Sequence, residues 1–429
     1  MRVEVYPSIV KGKITAPGSK SIAQRMMACA LLSRGDTTIN EYPSSNDCLA
    51  ALSIAQNLGA IVTQKKNQIL IRGGFPNAFQ ANIRNPKNEI NCGESGLSSR
   101  MFTPIAALHN DWIEITGEGT LLKRPFGDFD IQLPALGASC ETTNGLLPLR
   151  VKGPLLGGTV DVDGSISSQY LTGLLFALPK AHGDSIINVK SLTSIPYIEM
   201  TLEIMAQFGV VVKHKGWEEF KIRGNQLYLP QNCTVPGDWS SAAFLIVAAA
   251  ICAEDDEVII ENLDQTITQA DASILEVIRL AGIPYSQKGR NFHISSGEIQ
   301  AFEFDATNCP DLIPPATALA AFANGVSTIR GANRLIHKES NRAKALQEEF
   351  GKANVRIAIR DNELKIYPGS IRPAVINSHN DHRIAMAATL LGLGGDKMTI
   401  KGAESVNKSF PEFFDSLKQL GAKFQTYQV

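Results

Sequence analysis

A repeat of about 71 residues constrains the fold of this 429-residue chain more than any other sequence feature. Six segments share an amphipathic helical pattern that ends at a glycine, and these glycines are Gly59, Gly137, Gly209, Gly282, Gly351 and Gly421. Successive glycines lie 78, 72, 73, 69 and 70 residues apart. A glycine that follows apolar residues at i, i+3 and i+4 is the expected left-handed end of a helix. The spacing therefore predicts six related units.

A second pattern recurs in phase with the first. Small polar turns lead into Ala-rich apolar helices near Ser21, Ser98, Ser168, Ser241, Asp311 and Asp381, at separations of 77, 70, 73, 70 and 70 residues. Residues 242–251 are apolar nearly all round, which predicts a fully buried helix, and the preceding polar residues predict helix caps. Each unit thus combines a buried helix, an amphipathic helix and short strands such as 68–72 and 257–261.

Six units of this size exceed one ordinary core, so the chain is predicted to form two domains. The dipeptides at 17–18 and 236–237 are both Pro-Gly, which favours a crossing between domains there. We predict an α/β protein with repeats one to three in residues 19–235. Repeats four to six are expected in 236–429, completed by residues 1–18. An open solenoid is the alternative, but solenoid repeats usually have about 20–45 residues.

Charge and composition argue against several classes of function. Lys and Arg number 41 against 42 Asp and Glu, and the net charge of −1 argues against a nucleic-acid or membrane-surface partner. The longest apolar run, residues 242–253, has 12 residues and is too short to span a bilayer. The first residues have no signal-peptide or transit-peptide pattern, so we expect a cytoplasmic protein.

The sequence also predicts no metal site. Its seven cysteines are scattered without a C-x-x-C pair, which argues against zinc ribbons and disulfide frameworks. His379 and His382 lie three residues apart, but no third ligand follows a standard zinc pattern. Covalent-nucleophile and Walker motifs are absent from the sequence as well.

Cations beside apolar helices indicate a site for a small, multiply anionic molecule. Lys20 and Arg25 follow the first Pro-Gly turn, and Arg383 begins an apolar helical segment. A buried cation is costly unless it is paired, so each needs an anionic partner from the protein or from a ligand. For Arg383 an internal salt bridge, for instance with Asp381, is the structural alternative. Asp311 and Glu339 are the carboxylates available for proton transfer.

Seven motifs, in this order, resemble the 5-enolpyruvylshikimate-3-phosphate synthase family. They are PGSKSIAQR (17–25), KRP (123–125), GSISSQ (164–169), PY (196–197), KESNR (338–342), NDHR (380–383) and KSFP (408–411). The resemblance implies a two-domain, inside-out α/β barrel of six βαβαββ-type repeats, three per domain, with the active site in the interdomain cleft. It implies transfer of the enolpyruvyl group of phosphoenolpyruvate to the 5-hydroxyl of shikimate 3-phosphate, on the way to chorismate and the aromatic amino acids. A monomer without a cofactor is expected.

The resemblance also implies roles for particular residues. Those expected to take part in acid–base chemistry are Lys20, Asp311 and Glu339. Those expected to bind shikimate 3-phosphate are Lys20, Ser21, Arg25, Ser167, Ser168, Gln169, Ser194, Tyr197, Asp311 and Lys338. Those expected to bind phosphoenolpyruvate are Lys20, Gly96, Arg124, Gln169, Arg342, Arg383 and Lys408.

Some positions depart from the family pattern. Glu94, Leu97 and Asn341 stand where Asn, Thr and Asp are common, which leaves the glyphosate sensitivity of the chain open. The usual substrate-binding Asn before Lys338 aligns with Arg334, and its neighbour Asn333 is the other candidate.

Two other functions are alternatives to enolpyruvyl transfer to shikimate 3-phosphate. A sister transferase acting on UDP-N-acetylglucosamine requires a mobile-loop cysteine near residues 110–125, where this chain has none. A catalytically inactive anion-binding protein on the same scaffold is the other alternative, and the retained Lys20, Asp311, Glu339 and Arg383 argue against it.

Overall fold

The chain forms two compact units in the computed structural model, which describes residues 1–74, 88–165 and 167–428, with backbone only for 254–256. The terminal unit comprises Met1–Ser19 with Pro236–Val429, and the central unit comprises Lys20–Val235. The first boundary lies one residue after the position expected from the sequence. The assignment of these units as functional domains stays a prediction.

Twelve α-helices occur in the described residues. They are α1 (Lys20–Leu32), α2 (Asn46–Asn57), α3 (Gly96–Ala106), α4 (Phe129–Ala135), α5 (Ser168–Ala177), α6 (Ile195–Gln207), α7 (Trp239–Cys252), α8 (Ile274–Leu280), α9 (Ile313–Ala320), α10 (Arg342–Lys352), α11 (His382–Gly394) and α12 (Phe413–Gln419). The odd-numbered helices α1, α3, α5, α7, α9 and α11 are those predicted to be buried, and nearly all of their residues are.

The strands of the described residues number 24. In chain order they are β1 (Arg2–Tyr6), β2 (Val10–Thr15), β3 (Asp36–Asn40), β4 (Ile61–Lys65), β5 (Gln68–Arg72), β6 (Glu89–Asn91), β7 (Ile113–Thr116), β8 (Ser139–Thr143), β9 (Leu146–Lys152), β10 (Gly158–Asp163), β11 (Ser185–Lys190), β12 (Val212–Lys215), β13 (Glu219–Ile222), β14 (Asn232–Thr234), β15 (Ala253–Glu261), β16 (Tyr285–Lys288), β17 (Asn291–Ile294), β18 (Glu303–Asp305), β19 (Ser327–Arg330), β20 (Arg356–Arg360), β21 (Glu363–Tyr367), β22 (Ala374–Asn377), β23 (Met398–Lys401) and β24 (Lys423–Tyr427).

Each unit contains three four-stranded sheets with one shared topology. The central unit has the orders β14-β3-β5-β4, β6-β7-β9-β8 and β10-β11-β13-β12. The terminal unit has β2-β15-β17-β16, β18-β19-β21-β20 and β22-β23-β1-β24. In every sheet the first pair is parallel and the other two pairs are antiparallel. The sixfold repeat predicted from the sequence is confirmed.

The buried helices of each unit pack against one another. In the central unit α3 contacts both α1 and α5, and in the terminal unit α7, α9 and α11 contact each other. The first strands β1 and β2 join two sheets of the terminal unit, so the N-terminal segment completes repeats six and four.

The glycine ends of the amphipathic helices are confirmed in five of six repeats. Positive φ angles from 72° to 106° occur at Gly59, Gly137, Gly209, Gly282 and Gly421. The prediction is wrong at Gly351, because α10 continues to Lys352 and the left-handed residue is Asn354, with φ 66°. Asparagine tolerates this conformation better than most residues, and Lys352 gains an ion pair with Glu349 one turn earlier.

Replacement of Gly351 by alanine is therefore expected to stabilise the protein. A Cβ atom at this position has nothing within 4 Å, and helical glycine costs roughly 0.5–1 kcal/mol relative to alanine. Denaturant unfolding of Gly351→Ala is expected to show a gain of up to about 1 kcal/mol. A loss of stability would mean that Gly351, and not Asn354, ends the helix.

Candidate active site

Arg25 organises the first polar cluster of the central unit. Its guanidinium lies inside the unit, donating from Nε to Thr201 Oγ1 at 2.9 Å, from Nη1 to the Ser21 carbonyl at 2.9 Å and from Nη2 to the Tyr197 carbonyl at 3.4 Å. Burial lowers the pKa of Arg25 to about 10, so the side chain stays charged at neutral pH. Arg25 thereby ties α1 to α6 and places Ser21 near Tyr197.

The N-terminus of α5 lies beside the same cluster. Ser167 caps this helix by accepting a hydrogen bond from the Gln169 amide at 3.2 Å, as the repeat pattern predicted. The Thr172 hydroxyl bonds the Ser168 carbonyl at 3.1 Å and lies 3.5 Å from the Thr201 hydroxyl that Arg25 contacts. The hydrogen bonds of α1, α5 and α6 therefore form one connected network.

Two further side chains complete this cluster. Ser194 precedes α6 in a left-handed conformation, with φ 58°, and is buried. Gln169 has a buried Oε1 atom without a hydrogen-bond partner among the described residues. A buried carbonyl oxygen in this state is costly, which is consistent with a ligand hydroxyl or amine as its partner.

Lys20 begins α1 and pairs with an acidic residue that the motifs do not include. Its ammonium lies 2.9 Å from Asp47 Oδ2, and both side chains are mostly buried. Asp47 stands in the first turn of α2, where a carboxylate also interacts favourably with the helix N-terminus. The Asp47 contact fixes the Lys20 side chain at the N-terminus of α1, the helix that also carries Arg25.

Arg124 packs against the backbone of α3. A Cβ atom on Gly96 would lie only 2.5 Å from Nη1 of Arg124, so a larger residue here would displace the guanidinium. Arg100 secures the same segment by donating to the Gly96 carbonyl at 3.1 Å and to the Pro125 carbonyl at 2.6 Å. Tyr170 donates to the Pro125 carbonyl as well, at 2.6 Å.

Asp311 is the centre of a charge cluster in the terminal unit. It lies in a short 3-10 turn, Pro310–Leu312, before α9. Its Oδ1 atom accepts from Arg342 Nη1 at 2.8 Å and lies 3.3 Å from Lys338 Nζ. Its Oδ2 atom accepts from Arg383 Nη2 at 3.2 Å. No side-chain cap bond occurs at the start of α9, so the helix-cap role expected for Asp311 is wrong.

Asp381 fixes the two arginines of this cluster from the other side. Its Oδ1 atom caps α11 by accepting from the Arg383 amide at 3.0 Å, and its Oδ2 atom accepts from Arg342 Nε at 2.8 Å. Asp381 is therefore not the side-chain partner of Arg383, but the alternative of an internal salt bridge is met by Asp311, at 3.2 Å. The cap uses the backbone of Arg383, and its guanidinium extends to Asp311 instead.

Glu339 and Lys408 border the same cluster. Glu339 Oε2 lies 2.5 Å from Arg342 Nη2, and the glutamate side chain is 16 % exposed. Lys408 is buried and donates to the Asn380 carbonyl at 2.6 Å, next to Asp381. The structure thus brings together five of the six residues expected from the terminal unit, namely Asp311, Lys338, Glu339, Arg342 and Arg383, and the sixth, Lys408, lies beside them.

The charges of this cluster determine its protonation. Burial alone would raise the pKa of the Asp311 carboxyl. The charges of Arg383, Lys338 and Arg342 outweigh this effect, and the pKa lies well below its usual range. Burial lowers the pKa of Lys338, against the opposing charge of Asp311. Asp311 is therefore an ionised carboxylate at neutral pH with three cations around it.

Asn333 and Arg334 are the two candidates for the position of the family's usual substrate-binding Asn before Lys338. Asn333 is exposed, and its backbone amide donates to Asn362 Oδ1 at 2.9 Å. Arg334 is half-buried, and its positive charge contributes to the lowered pKa of Lys338. Arg334 is therefore the residue of this pair whose charge acts on the cluster.

One group of possible metal ligands lies elsewhere in the described residues. Glu348, Glu349 and His379 have ligand atoms within 4.8 Å of one another. The buried Glu349 carboxylate already binds the Lys352 ammonium at 2.7 Å and His379 Nε2 at 2.7 Å. The sequence missed these carboxylates because they come from α10, 30 residues before the histidine. The absence of a metal stays a prediction.

Sequence comparisons place these clusters in a known family. A family model described as EPSP synthase (3-phosphoshikimate 1-carboxyvinyltransferase) matches residues 6–417. The chain is 33% identical over 430 residues to the 3-phosphoshikimate 1-carboxyvinyltransferase of Clostridium kluyveri, across 100% of this chain and 99% of that protein. It is 35% identical over 435 residues to the protein of the same name from Methanosarcina acetivorans, across 99% of both chains.

Solved structures share the fold. The EPSP synthase from Acinetobacter baumannii matches with a TM-score of 0.82 and 25% identity, over 99% of this chain and 100% of that chain. The enolpyruvyl transferase NikO from Streptomyces tendae matches with a TM-score of 0.77 over 99% of this chain and 98% of that chain, and its 16% identity indicates the fold alone. The fold class predicted from the sequence is confirmed. Among the described helices, none has the length and apolar character that a membrane crossing needs.

Proposed function

Since this chain belongs to the EPSP synthase (3-phosphoshikimate 1-carboxyvinyltransferase) family, we propose that the polar clusters of its two units act on one pair of substrates. Family membership gives the reaction: the enolpyruvyl group of phosphoenolpyruvate is transferred to the 5-hydroxyl of shikimate 3-phosphate, and phosphate is released. This step belongs to the shikimate pathway and to aromatic amino acid biosynthesis. Which side chains bind the substrates and which transfer protons is our proposal.

Shikimate 3-phosphate is assigned to residues of both units. In the central unit the hydroxyls of Ser21, Ser167, Ser168 and Ser194, with Arg25, Tyr197, Lys20 and Gln169, supply donors and positive charge for its phosphate and carboxylate. In the terminal unit Lys338 and Asp311 are assigned to its ring hydroxyls. The observation that carries this assignment is the hydrogen-bond network joining Arg25 to Ser168.

Phosphoenolpyruvate is assigned to the arginines. In the central unit it is assigned to Arg124, which lies beside Gly96, and to Lys20 and Gln169. In the terminal unit it is assigned to Arg342, Arg383 and Lys408. Guanidinium groups bind carboxylate and phosphate in pairs of parallel hydrogen bonds, which suits a ligand with both groups. The same cations stabilise the phosphate as it leaves.

Asp311 acts on the 5-hydroxyl in this scheme. Three cations make it a weak base in the free enzyme, as its low pKa indicates. Bound phosphate and carboxylate groups are anions that share these cations, so substrate binding raises the pKa of Asp311 toward that of an effective base. The carboxylate then accepts the proton as the hydroxyl oxygen bonds C2 of phosphoenolpyruvate.

Glu339 and Lys20 are assigned to proton transfer at the methylene carbon of phosphoenolpyruvate. Addition requires protonation of the methylene carbon, which forms a tetrahedral adduct with a methyl group. Elimination removes a proton from that methyl group as the bond from C2 to the phosphate oxygen breaks. The side chains of Glu339 and Lys20 are 16 % and 17 % accessible, and ionic contacts with Arg342 and Asp47 hold them in place. We also assign the enzyme to the cytoplasm as a monomer.

Two variants, one in each unit, test whether a single ligand uses both clusters. Ser168→Ala and Lys338→Met are each expected to raise the dissociation constant of shikimate 3-phosphate about tenfold, since each removes one hydrogen-bonding or charged contact. Isothermal titration calorimetry measures this constant directly. Weakening by only one of the two variants would contradict the shared site.

Gly96→Ala is expected to impair phosphoenolpyruvate binding selectively. The added Cβ displaces the Arg124 guanidinium, and loss of a charge-assisted hydrogen bond costs roughly 1.5–3 kcal/mol, or about ten- to hundredfold in affinity. The KM for phosphoenolpyruvate is expected to rise by this factor while the affinity for shikimate 3-phosphate stays within threefold. Gly351→Ala is the matched control, with no kinetic change expected. Equal weakening of both ligands would mean that Gly96 supports the fold of α3 only.

A further inference from the structure

A further buried carboxylate of the terminal unit, Asp271, lies beside the Asp311 cluster. Asp271 lies in the 3-10 turn Ala270–Ser273 and is 4 % exposed. None of the sequence motifs includes it, and the scheme above gives it no role. A carboxylate buried this deeply is costly unless hydrogen bonds and opposite charge compensate for the lost water.

The compensation comes from Ser240 and Arg383. The Ser240 hydroxyl forms a hydrogen bond with the Asp271 side chain. The same hydroxyl oxygen accepts from Arg383 Nη2 at 2.5 Å, and the positive charge of Arg383 acts on Asp271 directly. Ser240 therefore stands between a buried carboxylate and an arginine of the proposed phosphoenolpyruvate site.

These contacts fix the orientation of the Arg383 guanidinium. Its Nη1 atom donates to the Asp311 carbonyl at 3.0 Å, while Nη2 is shared between Ser240 and Asp311 Oδ2. Nε is buried and has no hydrogen-bond partner among the described residues. With both terminal nitrogens held, the buried Nε–H donor has a defined direction, and a bound anion is a partner that would satisfy it.

We propose that Asp271, acting through the Ser240 hydroxyl, is a positioning residue that holds Arg383 ready for the phosphoenolpyruvate anion. The Asp271 carboxylate orients the hydroxyl proton toward itself, which turns the hydroxyl lone pairs toward the arginine. Charge on Asp271 also strengthens the electrostatic contact with the guanidinium. The inference rests on the proposed assignment of Arg383 to phosphoenolpyruvate.

The electrostatic surroundings of Asp271 make this role sensitive to pH. Burial and the negative charge of Asp311 raise the pKa of Asp271 to about 6, against the opposing effects of Arg383 and Ser240. Asp238 adds further negative charge, and the Cys309 thiol is another titratable neighbour. Protonation near pH 6 removes the charge of Asp271, so its contribution is full at higher pH and is lost as the pH falls through 6.

Two variants test the proposal on the full-length enzyme. Ser240→Ala removes the bridging hydroxyl, and Asp271→Asn removes the charge at nearly constant volume. Each is expected to raise the KM for phosphoenolpyruvate about three- to thirtyfold at pH 7.5, while the dissociation constant of shikimate 3-phosphate changes less than twofold. The double variant is expected to be no worse than the poorer single variant, because both changes interrupt one path. Equal weakening of the two ligands, or additive effects in the double variant, would overturn the proposal.

The pH profile separates positioning from a structural role. Substrate phosphates also titrate near pH 6, so the quantity compared is the ratio of kcat/KM for phosphoenolpyruvate between wild type and Asp271→Asn. This ratio is expected to approach one as the pH falls from 7.5 to 5.5. A ratio that is independent of pH would contradict the role of the Asp271 charge. If Asp271→Asn does not fold, Ser240→Ala decides the proposal through its KM.

Two controls distinguish this proposal from the function on which it rests. Ser241→Ala removes the neighbouring hydroxyl, which donates to Asp238 at 2.7 Å and is not a partner of Arg383. The KM of this variant for phosphoenolpyruvate is expected to match that of the wild type. Arg383→Met is expected to raise the KM for phosphoenolpyruvate more than either test variant does. An unchanged KM for phosphoenolpyruvate in Arg383→Met would contradict the assignment of Arg383 to the site. A raised KM in Arg383→Met together with an unchanged KM in Ser240→Ala and Asp271→Asn would contradict only the positioning role.

Discussion

Asp311→Asn is expected to lower kcat by roughly 10²–10⁴-fold, which is the contribution typical of a positioned acid or base. The amide keeps the size of the side chain but cannot accept the proton of the attacking hydroxyl. The change also removes one negative charge from among Arg383, Lys338 and Arg342, so these cations are left to bind substrate anions. The dissociation constant of shikimate 3-phosphate is therefore expected to stay equal or to fall.

The direction of that binding change distinguishes two roles of Asp311. If the carboxylate only held the three cations in place, its loss would disorder them, and substrate binding would weaken while kcat changed little. Calorimetry and steady-state kinetics on the same preparation separate these outcomes. Asp305→Asn is a suitable control, because Asp305 is an exposed aspartate of the same repeat whose hydrogen bonds go to Thr307 in its own turn, with the Thr307 amide at 2.9 Å from Oδ1.

Glu339→Gln is expected to lower kcat by a similar factor, roughly 10²–10⁴-fold, for a different reason. Its proposed proton goes to the methylene carbon of phosphoenolpyruvate, so the reaction in D₂O places deuterium on that carbon. In single-turnover experiments followed by mass spectrometry, the rate of deuterium incorporation is expected to fall with kcat. Glu348→Gln, at an exposed position of α10, is the matched control.

An unchanged deuterium rate would contradict this role of Glu339. Its contact with Arg342 provides the competing explanation, in which the glutamate merely orients an arginine. In that case the KM for phosphoenolpyruvate would rise and the proton-transfer step would proceed at the wild-type rate.

The repeated architecture was predictable because it depends on local signals. Periodic apolar residues, polar caps and terminal glycines act within one turn of a helix, and they identify the same helices in the sequence as in the structure. The exception is Gly351, where Asn354 takes the left-handed conformation three residues later. Single-turn signals do not determine which of two nearby permissive residues ends a helix.

The partners within the site were less predictable. Asp311 contacts Arg342 and Arg383, which follow it by 31 and 72 residues, and no local pattern pairs such distant positions. Proximity in sequence suggested Asp381 as the partner of Arg383, but the cap geometry of α11 directs that carboxylate to a backbone amide and to Arg342. Asp47 and Ser240 contact predicted site residues, and Asp271 contacts Ser240. All three come from segments without any motif, so only the folded chain shows them.

Phosphate release by the purified enzyme is the most direct test of the account. With shikimate 3-phosphate and phosphoenolpyruvate both present, we expect phosphate and 5-enolpyruvylshikimate 3-phosphate to form in equal amounts, as followed by a colorimetric assay and mass spectrometry. Omission of either substrate is expected to abolish the release. Absence of phosphate release with both substrates, or release that does not require shikimate 3-phosphate, would contradict the assignment of these residues to enolpyruvyl transfer.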